Sequence, residues 1–207
     1  MTVKRGTGRL ALIGATADVL RVGGEVQVKE IAATAGVSHT LVYRHFPVGG
    51  KDELVAEAYA HLFRGLAESD IEDLFDILET SGLDRDRIRD FVLIILSPRR
   101  AGIRWSRLEA LAQTRTNPYV AARIEDARRD LIGTFAKRLR RVEPAMTEQS
   151  ATAFSVIAQA LPLGITAIGG LAMPKALREE VAGMWADTLV NLLALARGGK
   201  EPPARQP

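Results

Sequence analysis

Between residues 8 and 198 the apolar side chains recur every three or four positions, and no stretch reads as a convincing strand. That spacing gathers apolar groups on one face of a helix, and Gly, Pro or a capping residue ends each run. A chain patterned in this way folds as an all-α protein. Its 207 residues, 47% hydrophobic, suffice for one large domain or for a small domain joined to a larger one.

The runs fall into two groups. Leu10, Ile13, Ala17 and Leu20 share a face, and Gly23-Gly24 stops that helix. Val28, Ile31, Ala32 and Ala35 form a second, short helix ended by Gly36. Ser38 is placed to cap a third, on which Val42 and Phe46 lie four apart; Pro47 and Gly49-Gly50 close it. Longer helices follow. One starts at Lys51, and Ser69 with Glu72 spells a capping box for the next. "RIRDFVLIIL" is apolar nearly all round and predicts a central buried helix. Ser97-Pro98 opens a helix with Ala101, Trp105, Leu108 and Ala112 on one side. Asn117-Pro118 opens a long one with the stripe Val120, Ile124, Leu131, Phe135, Leu139 and Val142. Thr147 caps another, and Pro174 opens the last, which ends at Gly198-Gly199. The expected organisation is a three-helix segment at 1–50, a larger helical body at 51–199, and a disordered tail at 200–207. No flexible linker separates the first two.

Charge singles out the first segment. Residues 1–51 hold seven basic residues (Lys4, Arg5, Arg9, Arg21, Lys29, Arg44, Lys51) against three acidic ones, while the remainder is nearly balanced. A polyanion partner for that segment is the reading this asymmetry favours. The segment also has the parts of a helix-turn-helix: Ala32 as the small crossing residue, Gly36 for a turn at positive φ, and Ile31, Ala35, Val37 and Val42 on the facing sides. On the displayed helix His39, Thr40, Tyr43 and Arg44 point away from the core, where they can donate to phosphates and base edges. An ordinary αα-hairpin with a polar outer face fits the same spacing.

The stretch "VKEIAATAGVSHTLVYRHF…KDEL" resembles the N-terminal DNA-binding segment of TetR-family transcriptional regulators. Ile31, Ala32, Ala35, Gly36, Val37, Ser38, Tyr43, His45, Phe46, Lys51 and Leu54 match that family's pattern, about a quarter of the chain. The resemblance implies a three-helix DNA-binding domain joined to a larger helical domain for ligand binding and dimerisation. It implies a recognition helix at 38–45, with Tyr43, His45 and Lys51 on phosphates and His39, Thr40, Leu41 and Arg44 varying with the operator. Lys29 and Ser38 complete the candidate DNA-binding set, and Lys4, Arg5 and Arg9 are candidates for an additional basic arm or for a solvated tail. The chain departs from the pattern twice: Gln27 stands at the second helix's cap, and "PVGG" before Lys51 is two residues longer than usual, which leaves the reach of Lys51 open.

The implied partners are a palindromic double-stranded operator, a second copy of the chain and a small-molecule effector, with the regulator a repressor released by that effector. Dimerisation is expected through 151–171 and 174–197, the latter offering Leu177, Val181, Met184, Trp185, Leu189 and Leu192. Phe75, Phe91, Trp105, Tyr119 and Phe135 are candidate effector contacts; simple core packing is the alternative for each. The uncharged run 151–173 is long enough for a membrane span, so a membrane-anchored regulator is a second reading, less favoured than a doubly buried helix. A helical enzyme is a third: no catalytic motif appears, His39, His45 and His61 lack ligand spacing, and no metal or cofactor is expected. The chain has no cysteine and its first twenty residues show no signal-peptide pattern, so a cytoplasmic location is expected.

Overall fold

The computed structural model describes residues 7–82, 84–169 and 173–198. Lys4 and Arg5 of the basic arm, residues 170–172 of the apolar run, Gly199 and the tail 200–207 lie outside them. The helices are α1 (Thr7–Arg21), α2 (Val28–Thr34), α3 (Thr40–His45), α4 (Lys51–Ser81), α5 (Arg85–Ile95), α6 (Ala101–Gln113), α7 (Pro118–Val142), α8 (Glu148–Gly169) and α9 (Lys175–Gly198). A 3-10 turn at Pro98–Arg100 precedes α6, and no strand occurs among the described residues. The chain divides into two compact units, Met1–Glu68 with Arg99–Asp130, and Ser69–Pro98 with Leu131–Pro207. The three-helix segment therefore shares a unit with the first part of α4, with α6 and with the start of α7.

In the first unit Leu12, Val42, Phe46 and Leu54 are completely buried, and Ile31 and Ala32 bury α2. Gly36 turns the chain in the left-handed region at φ 66°, as the sequence predicts, and Gly23 does so at φ 71° where α1 stops. The inner face of α1 differs from the expected one: Leu10 is exposed, and Leu12 and Thr16 point inward. Thr16 enters the core because its hydroxyl donates to the Leu12 carbonyl at 2.8 Å, leaving only its methyl to pack. The inner face of α6 is also rotated from the predicted one. Arg104 and Arg107 are buried, whereas Trp105 is 40% exposed and Ala112 is exposed. Long arginine stems cover apolar surface, and the Arg107 guanidinium lies 4.6 Å from the centre of the Phe63 ring.

The second unit is built on one-sided helices. The α5 helix turns Ile88, Phe91, Val92 and Ile95 inward and exposes Ile94, so it is not the all-round buried helix expected from composition. Asp84 caps α5 by accepting from the amides of Asp86 and Arg87 at 3.0 and 3.1 Å. The α5 helix packs on α9, where Arg85 donates to both carboxylate oxygens of Asp187 at 2.6 and 3.0 Å. Phe135 on α7 meets Phe75 edge-on at 5.0 Å and Phe154 of α8 at 6.0 Å. Thr147 caps α8 as predicted, accepting from the Ser150 amide at 3.1 Å.

Two helices contribute to both units, α4 and α7. The expected break in α4 at Ser69 is absent; the helix is continuous over 31 residues. Between Lys51 and Ser81 there is no proline and a single glycine, Gly65, so a lone capping pattern meets no residue that stops the backbone. Asn117 starts α7 as predicted, its side-chain oxygen accepting from the amides of Tyr119 and Val120.

Candidate nucleic-acid interface

The short helix α3 is held from beneath. Val42 and Phe46 have no exposed surface, and Ala32 of α2 is buried in the same unit. That burial fixes which side of α3 faces solvent. Thr40, Tyr43 and Arg44 are exposed, Tyr43 to 57%. His39 is exposed at the N-cap position and Leu41 is half-buried at the rim. The displayed set read from the sequence is therefore the solvent face of this helix.

Three candidates have neighbours within the protein. Ser38 does not cap α3 through its hydroxyl: the helix begins at Thr40 with His39 in α conformation, and the Ser38 hydroxyl pairs with that of Thr40 at 2.8 Å. His45 is half-buried, with Nε2 only 3.5 Å from where a Cβ on Gly8 would stand, so it lies against the first turn of α1. Arg9 is tied down: it donates to Glu57 Oε1 at 2.7 Å, and its guanidinium sits 5.2 Å over the Phe46 ring. An arginine so held supports the core beneath α3 more than it reaches outward.

Lys29 is exposed in the first turn of α2. Lys51 is exposed at the first position of α4, directly after the Gly49-Gly50 turn. The longer "PVGG" segment forms the turn that leads into α4. Gly50 adopts φ +54°, and a Cβ there would stand 3.2 Å from Cε1 of Tyr43. The Tyr43 ring thus lies against the residue that precedes Lys51. A phenol and an ammonium at a helix N-terminus, where amide donors are unsatisfied, suit an anion such as a phosphate.

The five candidate effector contacts are not one cluster. Phe75, Phe91 and Phe135 are buried in the second unit, with the Arg138 guanidinium 4.5 Å over the Phe75 ring. Trp105 and Tyr119 belong to the first unit. Trp105 is partly exposed because the arginines of α6 take the inward positions, and Tyr119 packs against Gly49. Sequence reading missed the buried Arg104 and Arg107 and the Tyr59–Glu109 pair, in which the Tyr59 hydroxyl donates to Glu109 at 3.2 Å. Arginine three apart on an otherwise apolar helix was the available signal. No group of three potential metal-ligating side chains occurs among the described residues.

Residues 15–58 match the family model for bacterial regulatory proteins of the tetR family. No curated protein matches the chain in sequence. Among solved structures, GusR of Salmonella enterica is 17% identical with a TM-score of 0.60, covering 95% of this chain and 98% of its own. A tetR-family transcriptional regulator from Streptomyces coelicolor is 20% identical with a TM-score of 0.55, covering 97% of this chain and 85% of its own. At such identities the likeness is one of fold.

Proposed function

We propose, from the match of residues 15–58 to the family model for bacterial regulatory proteins of the tetR family, that the chain is a dimeric transcriptional repressor released from a palindromic operator by a small molecule. The observation that carries the proposal is the two-sidedness of α3: Val42 and the adjoining Phe46 wholly buried, Thr40, Tyr43 and Arg44 presented to solvent, with Lys51 beside Tyr43. Arg44 and Thr40 read base edges in a major groove; Tyr43, Lys51 and Lys29 hold phosphates. Residues 1–50 form the DNA-reading part and 51–199 the part that dimerises and takes the effector.

A palindromic site asks for a two-fold protein. On α8 Ala153, Val156, Ile157, Ala160, Gly164, Ala167 and Ile168 are exposed at helical spacing, and on α9 Leu177, Met184 and Leu195 are exposed. That unpartnered surface suits a second copy. Trp185 and Leu189, expected at the interface, are instead buried within their own unit, because α9 spends that face on α5. The α8 helix has the length and mean hydropathy, 1.6, to cross a bilayer. A bilayer would surround it on all sides, whereas Ala151, Phe154, Ser155, Pro162 and Thr166 are already packed inside the unit. A partner helix needs one side only, so dimerisation is the reading favoured.

The effector is apolar or weakly polar and is held near Phe75, Phe91 and Phe135. Its influence on DNA affinity equals its own preference for the released state; a preference of about 100-fold corresponds to about 2.7 kcal/mol. The test begins by selecting duplexes from a randomised library with the full-length protein. Recovery of a palindrome, and its release by compounds that raise the thermal midpoint in a screen of apolar metabolites, is the expected result. Compounds that stabilise strongly yet leave the duplex bound would refute effector release, and recovery of no sequence would refute operator recognition.

A further inference from the structure

We infer that the first turns of α7 brace the DNA-reading segment, with Tyr119 as the positioning residue. The inference deepens the proposed function and rests on it. Gly49 shows the brace most directly. Its backbone lies outside the left-handed region, so conformation alone does not require glycine there. Space does: a Cβ on Gly49 would stand 2.9 Å from Cζ and 3.0 Å from Cε1 of Tyr119, and 3.0 Å from Cβ of Glu53. The tyrosine ring is therefore seated on bare backbone. Gly50, the next residue, meets the Tyr43 ring in the same manner at 3.2 and 3.3 Å. Two consecutive glycines carry one ring each, Tyr119 from α7 and Tyr43 from α3.

Lys51 follows immediately. The start of α4 is locked to this turn: the Gly49 amide donates to Glu53 Oε2 at 3.2 Å, and the Leu54 amide donates to the Gly50 carbonyl at 3.1 Å. Displacing the turn therefore displaces both Tyr43 and Lys51. Tyr119 is itself held in place, its amide donating to Asn117 Oδ1 at 3.0 Å. One turn further along α7, Arg123 pairs with Glu57 Oε1 at 3.0 Å, the oxygen that also accepts from Arg9 at 2.7 Å. Arg9 in turn covers Phe46. The α7 helix thus reaches the 46–51 turn at both ends, at Gly49 by packing and at Phe46 through Glu57 and Arg9. Groups so held pay less ordering entropy when they meet a duplex.

The experiment measures affinity for the duplex selected by the wild-type protein, over a range of salt. Tyr119→Ala and Gly49→Ala are each expected to weaken binding about tenfold without changing sequence preference. Each is also expected to flatten the plot of log affinity against log salt by about one unit, the signature of one lost phosphate contact. Tyr119→Phe keeps the ring and stays within about twofold of wild type. The double variant Gly49→Ala with Tyr119→Ala binds better than Gly49→Ala alone, because the added methyl occupies space the ring has vacated. Additive losses in the double variant, or single variants with wild-type affinity and salt slope, overturn the brace. Should Tyr119→Ala lose its helical circular dichroism, Tyr119→Leu carries the same cycle. A wild-type protein that selects no duplex sinks the proposed function itself; one that binds while every variant binds equally sinks only the brace.

Discussion

At the scale of single residues, burial decides which side chains remain available for chemistry. Tyr43 and Arg44 are neighbours on α3, and both are exposed because Val42 and Phe46 take the inward positions. Their proposed roles differ, and so do the expected outcomes. Tyr43→Phe removes one phosphate hydrogen bond and is expected to cost on the order of 1 kcal/mol for every sequence alike. Arg44→Ala is expected to alter the ranking of base-pair variants at one position of each half-site. Competition binding against a panel of single-base variants checks both; a Tyr43→Phe protein with altered ranking beside an unaffected Arg44→Ala would refute the assignment. The displayed residues were legible in the sequence because a glycine turn and two apolar residues four apart leave one orientation for so short a helix. The half-buried place of His45 was not legible, since it depends on Gly8 arriving from a distant part of the chain.

Helices are where periodicity spoke most clearly and where it also misled. Starts marked by Asn117 and Thr147 were readable because a side-chain acceptor and a local amide settle them within four residues. The inner face of α6 was not, because the apolar template ranks Trp105 above arginine, whereas the buried positions fall to Arg104 and Arg107. The link between α4 and α6 offers a pH test. Burial first, then the charge of Glu109 and its hydrogen bond, push the Tyr59 hydroxyl up to about 12 from the ordinary 10. The folded protein therefore holds this proton more tightly than the unfolded chain. Its contribution is complete below about pH 10 and is lost as pH rises toward 12, a change on the order of 2 kcal/mol. Urea unfolding at successive pH values should show a fall in stability over that window in the wild-type protein and a shallower one in Tyr59→Phe. Parallel curves for the two proteins would remove Tyr59 as the cause.

For the whole molecule, the exposed stripe on α8 and α9 sets the expectation for assembly. Met184 is 64% exposed and Ile168 is 92% exposed, so an arginine at either position leaves the packing of its own unit intact. Met184→Arg or Ile168→Arg is expected to yield folded monomers by light scattering, with operator affinity reduced by at least about tenfold as the second half-site is lost. Leu189→Arg is no substitute, because Leu189 lies in the core and its loss unfolds the unit. A Met184→Arg protein that remains dimeric would move the interface elsewhere. The seating of Tyr119 on Gly49 has a practical consequence for anyone wishing to rewire such a regulator. Residues 1–50 look like a cassette, yet of the groups that steady them Glu57 lies just beyond the cut and Tyr119 and Arg123 are encoded far downstream. A chimera cut at residue 50 would inherit a glycine tailored to a ring that its new host lacks; a transplant of 1–68 with 99–130 keeps lock and key together.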